Sequence, residues 1–172
     1  MAPGGEGGAA HPQPEARTTP RRIAPYDGER SASTQAVLDT TKRMGDGEPF
    51  NIFTTLAHHG RALRHGVALG GAFLFAGNID ERLREIVIIR VARNTRAVYE
   101  YGQHVVIGQR VGISLDECRA LIDPASTPAA LPDTFTTVER TVVAMTDEIC
   151  GDDCVGDQTW ACLLYTSPSP RD

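Results

Sequence analysis

Apolar residues recur at helical spacing through most of the chain, and no stretch alternates apolar and polar positions as a half-buried strand would. Residues 31–44 predict a first helix with Ala36, Val37, Leu38 and Met44 as its apolar contributions, closed by Gly45-Asp-Gly-Glu-Pro49. A short helical segment over 50–56 leads into His58-His59-Gly60. The helix predicted over 62–76 carries Leu63, Val67, Leu69, Phe73 and Leu74 at mixed spacings, as expected of a helix packed on more than one side. Its Gly66, Gly70 and Gly71 would permit close approach of a neighbour, at a cost in helix propensity.

Asp80 is the N-cap expected for the next helix, with Glu81 favourable in its first turn. Leu83, Ile86, Val87, Ile89 (or Ile88) and Val91 are assigned inward, while Arg82, Arg84, Arg90 and Arg93 reach water. The run Ile86 to Ile89 has the composition of a buried strand, but it continues through Val91 and Ala92 without a turn signal, so helix is preferred. Asn94-Thr-Arg96 breaks the chain, and a long helix follows over 97–111, with Gly112 as a left-handed cap. Ser114 with Glu117, and Thr136 with Glu139, have capping-box spacing and open two further helices. The first ends near Ile122; the second carries Val138, Val142, Val143, Met145 and Ile149 to about Cys150. Between them, 123–133 contains three prolines and is a surface connection. After a turn over 151–156, Asp157-Gln-Thr-Trp160 opens one more helix. The predicted architecture is all-α.

Composition narrows the function. The 172 residues suit one domain, expected over 23–161, and 41% apolar content supplies a modest core. Seventeen basic against 22 acidic side chains give a net charge of -5, which argues against affinity for a phosphate backbone, so nucleic acid is not an expected partner. The longest uncharged apolar run, 67–77, falls short of the roughly 20 residues a membrane span needs, and no signal core follows the first residues. The expectation is a cytoplasmic protein away from membranes, with Cys118, Cys150, Cys154 and Cys162 as reduced thiols outside any disulfide framework.

Both ends differ from the middle. Residues 1–22 are rich in Gly, Pro and Ala with almost no large apolar side chain, so a disordered lead is expected. Residues 162–172, Cys-Leu-Leu-Tyr-Thr-Ser-Pro-Ser-Pro-Arg-Asp, read as a translated sequencing adapter of the tagmentation type. On that expectation, the natural chain is cut just after Trp160-Ala161, inside its last helix; a Pro/Ser-rich natural tail is the other reading.

The candidate chemistry lies in Glu100-Tyr-Gly-Gln-His104. A carboxylate and an imidazole four residues apart share one helix face, where the carboxylate can orient the imidazole and favour its charged form. If the two helices flanking 94–96 fold back on each other, Glu85 approaches the same spot. Together they would form a proton donor or acceptor within an apolar helix pair. The plain alternative is a surface Glu–His pair with an unrelated Glu85 bonded to an arginine. Metal binding has less support, because Glu100 and His104 supply two ligands and His58, His59 and His65 have no matched spacing. No metal and no cofactor is expected. His58 or His59 is a candidate to line a substrate pocket. The Cys150 and Cys154 pair has three intervening residues instead of two and straddles a helix end, which weakens a redox reading.

Arg84-Glu-Ile-Val-Ile-Ile-Arg-Val-Ala92, Tyr99-Glu-Tyr-Gly-Gln-His104 and Gly112-Ile-Ser-Leu-Asp-Glu117 together resemble the carboxymuconolactone decarboxylase family, whose superfamily also holds the alkyl hydroperoxidases. The similarity runs from about Phe50 to Ile122, with Thr146-Asp-Glu148 and Gln158-Thr-Trp160 similar to later helices of the family. The resemblance implies an antiparallel helical bundle of the alkyl hydroperoxidase-like type, here lacking its last helix, assembled as a homo-oligomer, trimer or hexamer, with the site near subunit contacts. The hydroperoxidase branch has a glutamate where Glu85 stands, a histidine where His104 stands, and a Cys-x-x-Cys pair that falls here on Ala97 and Glu100. Without those thiols the disulfide-cycling peroxidase lacks its nucleophile.

The lactone decarboxylase branch needs a proton donor to quench the carbanion left by loss of carbon dioxide. The expected roles are His104 as general acid/base, Glu100 as its orienting partner, and Glu85 as a second proton-handling group. His58, His59 and Tyr99 are the candidate contacts to a small-molecule substrate. Two alternatives remain open: a peroxidase working through Cys118, Cys150 or Cys154, and a non-catalytic helical assembly protein in which the polar cluster is structural.

Overall fold

The computed structural model describes residues 23–42 and 47–166; the expected lead, Met44 with the Gly45-Asp46 helix stop, and the end of the tail lie outside these. Among the described residues every regular element is helical: α1 Ala32–Thr41, α2 Asn51–Leu56, α3 Gly60–Phe75, α4 Glu81–Thr95, α5 Val98–Arg110, α6 Leu115–Ile122, α7 Thr137–Asp152 and α8 Asp157–Thr166. The chain is all-α, and its described residues group into two compact units, 23–78 and 79–166.

The first unit packs α1 and α2 against α3. Leu38, Ala57 and Leu63 are its buried centre, supported by Tyr26, Val37, Phe53, Leu56 and Val67. Ser31 caps α1 by accepting from the Thr34 amide. The expectation that α3 is packed on more than one side is not met by this chain. Leu63 is its buried residue, whereas Leu69 and Phe73 are 62% and 66% exposed. Gly70 and Gly71 meet nothing within 4 Å of where a Cβ would stand, so no described residue uses the close approach they permit.

The second unit is built on α4, which packs against α5, α6 and α7. Asp80 caps it through Oδ1, accepting from the Arg82 and Leu83 amides, as its position in the sequence predicts. Arg96 ends it in the left-handed region (φ 55°), and the chain reverses at once into α5. Gly112 ends α5 at φ 89°, and both predicted capping boxes are present, Ser114 with Glu117 and Thr136 with Glu139. The core joins Ile86, Ile89 and Ala92 of α4 to Tyr101 and Val105 of α5, Leu121 of α6 and Val143 of α7. The proline-rich connection contributes Leu131 and contains a short 3-10 turn, Pro128–Ala130. Helix α8 continues past Ala161 into the stretch read as an adapter, and Leu163 packs against the core.

Several inward and outward assignments are corrected. Arg90 is 1% exposed, not in water: its guanidinium makes a two-point contact with Asp147 (Nε–Oδ1 and Nη2–Oδ2, both 2.7 Å) and donates to the Leu121 and Ser126 carbonyls. Val91, assigned inward, is exposed at the edge of the α4 stripe, and Ile149 is exposed near the end of α7. Arg82 is part-buried and ties three elements together, bonding Glu139 (2.6 Å), Glu117 (2.6 Å) and the Gly112 carbonyl (2.5 Å). A guanidinium has five donors in a fixed fork, so it can satisfy several buried acceptors where a single apolar residue would leave them bare.

Candidate functional site

Helices α4 and α5 bring Glu85 and His104 together across the helix pair. His104 Nδ1 lies 2.6 Å from Glu85 Oε2, and the other Glu85 oxygen accepts from Arg84 Nε at 3.0 Å. Glu85 is completely buried and the His104 side chain is 13% exposed. Glu100, one turn before His104, is more open at 41%, with its Oε2 3.8 Å from His104 Nε2. That separation is an electrostatic contact and too long for a hydrogen bond. The carboxylate that touches the imidazole is therefore Glu85, while Glu100 faces the opposite ring nitrogen.

Burial pushes the Glu85 carboxyl up, but the hydrogen bonds and charges of His104 and Arg84 outweigh it and hold the group below the usual carboxylate range. An ionised carboxylate can only accept, so the Nδ1 position facing it carries a proton. The other nitrogen, Nε2, makes no hydrogen bond among the described residues and lies 3.8 Å from Oε2 of the more exposed Glu100. An imidazole anchored at one nitrogen and open at the other can accept or deliver a proton at a fixed place.

The remaining candidates are placed differently. His58 Nε2 is 2.9 Å from the Ala24 carbonyl, and its ring meets Tyr26 edge-on with centroids 5.0 Å apart. His59 Nδ1 accepts from the Ala62 amide at 3.2 Å, capping α3. Both are thus engaged within the 23–78 unit. Tyr99 is exposed in the first turn of α5, beside Glu100 in sequence. Among the described residues no group of three His, Cys, Asp or Glu side chains is arranged to hold a metal ion.

The thiols lie away from this cluster in sequence and differ in availability. Cys118 is buried in the core, and burial pushes its thiol up to about 11. Cys150 and Cys154 are exposed and unbridged. Sequence reasoning allowed Glu85 an arginine partner only in its plain alternative and placed Arg84 in water, because adjacent helix positions point in different directions and only the rotamers of a long side chain close that gap. It also missed the Arg90–Asp147 pair, which joins α4 to α7 across 57 residues and has no local signal.

Comparison with known proteins agrees with the motifs: the model of the carboxymuconolactone decarboxylase family matches residues 58–141. This segment contains Glu85, Glu100 and His104 and extends beyond Ile122 into α7. Neither a curated protein nor a solved structure matches the chain significantly.

Proposed function

Through residues 58–141 this chain belongs to the carboxymuconolactone decarboxylase family, and from that premise we propose an enzyme that carries out decarboxylation or proton transfer on a small carboxylated or lactone substrate. The observation that supports it is the anchored imidazole, His104 Nδ1 on the buried Glu85 carboxylate with Nε2 left open. Glu85 orients the ring. His104 is the general acid/base, and Glu100, half-exposed and 3.8 Å from Nε2, exchanges protons between the ring and water.

In a decarboxylation, the bond to the substrate carboxylate breaks, carbon dioxide leaves, and the electron pair remains on carbon, delocalised into the neighbouring unsaturated system. Protonated His104 delivers its Nε2 proton to that carbon, and solvent replaces the proton by way of Glu100. The balance is one carboxylate and one proton in, one carbon–hydrogen bond and one carbon dioxide out. An acid in that role contributes about 10²–10⁴-fold to the rate.

Carbon dioxide release from carboxymuconolactone, the compound the family is named for, tests the assignment. His104→Gln is expected to lower turnover by about 10²–10⁴-fold with helicity and thermal transition preserved. Undiminished turnover in that variant would sink the assignment. A thiol peroxidase is disfavoured, because Ala97 and Glu100 stand at the positions of the family's cysteine pair and Cys118 is buried with a raised pKa. A homo-oligomer, placed in the cytoplasm, completes the proposal; the exposed apolar side chains Leu69, Phe73 and Phe75 on α3 support the assembly alone. No helix among the described residues is long and apolar enough to cross a membrane.

A further inference from the structure

A cavity of about 580 Å³ lies in the 79–166 unit, lined from the C-terminal half of α4, the proline-rich connection and the end of α7. None of Glu85, Glu100 and His104 lines it. Its wall holds three guanidiniums, those of Arg90, Arg93 and Arg96, against one carboxylate, Asp147. Arg90 and Asp147 neutralise each other in their two-point contact, and the Asn94 amide also donates to Asp147 at 2.8 Å. The excess positive charge rests on the other two. Arg93 donates only to neutral acceptors, the Asn94 side-chain oxygen (2.7 Å) and the Pro124 carbonyl (2.9 Å). The exposed Arg96 side chain has no ion pair or hydrogen bond among the described residues, and its backbone sits at φ 55° in the left-handed region that an arginine seldom adopts.

A second observation points the same way. Ser126 lines the cavity, and its Oγ is buried without a hydrogen-bond partner, although its own carbonyl is taken by Arg90. An orphaned buried hydroxyl is costly and calls for an explanation. The walls between these polar groups are apolar, supplied by Ile122, Pro124 and Pro128. A net excess of two guanidinium charges, that of Arg93 partly offset by its attraction to Asp147 and that of Arg96 unpaired among the described residues, together with an unpartnered hydroxyl and apolar walls, fits a ligand with an anionic head and an apolar body.

We propose that this cavity is a second binding site, separate from the His104 cluster, for a small organic monocarboxylate whose carboxylate is held by Arg93, Arg96 and Ser126 Oγ while its apolar body lies against Ile122 and the prolines. The carboxylate accepts from both guanidiniums and, once the Ser126 side chain turns about χ1 to bring its buried Oγ to the cavity face, from the hydroxyl, which removes the unsatisfied donor. Phosphate would use the same cations but gain nothing from the apolar wall.

Calorimetric titration of the full chain with benzoate, inorganic phosphate and benzylamine at low ionic strength tests the assignment. Benzoate is expected to bind saturably, tighter than phosphate, with benzylamine not binding. Arg96→Gln and Ser126→Ala should each weaken benzoate by about tenfold, since each removes a hydrogen bond to an ionised carboxylate. Both variants are surface or cavity-lining changes whose folding is checked by their thermal transitions, and His104→Gln should bind benzoate as the natural chain does. Absence of saturable binding, phosphate binding tighter than benzoate, or affinity unchanged in both cavity variants overturns the proposal. Loss of benzoate binding in His104→Gln overturns it as well, since the ligand would then be occupying the catalytic cluster.

Discussion

Glu85 has no exposed surface and two partners, so its ionisation is bound up with folding. Its folded pKa lies below the ordinary value of 4.5, so the unfolded chain binds the proton more readily. The stability it contributes is fully present above 4.5 and disappears as pH falls through the depressed folded value. Asp147 and Glu117 shift in the same direction: burial raises each, and Arg90 or Arg82 more than offsets it. Urea unfolding of Glu85→Gln should show a shallower loss of stability than the natural chain on acidification from about pH 5 to pH 3; an unchanged slope would remove Glu85 from the acid transition. Arg90→Leu leaves Asp147 without its guanidinium and frees the Leu121 and Ser126 carbonyls, at a cost of about 3 kcal/mol, read from the urea midpoint. Cys118 belongs to the same scale: pushed up to about 11 inside the core, it should resist a thiol reagent in the folded protein while Cys150 and Cys154 react promptly.

At the scale of elements, the helix ends carry a large share of the specification. Ser114 accepts from the Glu117 amide at 3.2 Å and Glu117 accepts from the Ser114 amide at 2.8 Å, while the same carboxylate group binds Arg82. One glutamate thus closes α6 and fastens it to α4. Ser114→Ala should cost about 1 kcal/mol by loss of the cap alone. Gly112 meets nothing within 4 Å of a built Cβ, so Gly112→Ala has no clash, and its cost of about 1 kcal/mol is purely that of holding φ at 89°. A much larger loss in denaturant unfolding would mean that the Gly112 carbonyl, held by Arg82 at 2.5 Å, shifts with the substitution. These ends were legible in the sequence because caps are local: Ser, Thr, Asp and Gly at fixed offsets act on backbone groups within a turn. The inward faces were less legible. Arg90 has a surface residue's chemistry and a core residue's position, and Val91 the reverse, since which stripe of α4 is covered depends on where α6 and α7 lie.

For the whole molecule, α3 exposes Leu69, Phe73 and Phe75 on a helix that the pattern predicts to be buried on several sides. The proposed homo-oligomer would cover such residues, and exposed apolar clusters are uncommon on isolated domains. Sedimentation of the natural chain should give a mass above that of the monomer, and Phe73→Glu should reduce it to the monomer; a monomeric natural chain would remove the oligomer from the proposal. The family segment spans 58–141, so it takes in parts of both compact units.

Helix content, the caps at Asp80, Ser114 and Thr136, the chain break between α4 and α5 and the pairing of Glu100 with His104 on one helix face follow from the amino-acid order alone, because periodicity, capping and i to i+4 proximity are short-range effects. Which carboxylate touches the imidazole was decided only by packing. Glu100 has the favourable spacing, yet it is Glu85, 19 positions away, that sits 2.6 Å from Nδ1. The burial of Arg90 on Asp147, the cation-lined cavity around Ser126 and the hub at Arg82 were likewise settled by tertiary structure. Each depends on partners 30 or more residues apart whose attraction has no trace in local sequence, and whose desolvation is affordable only once the surrounding helices have closed around them.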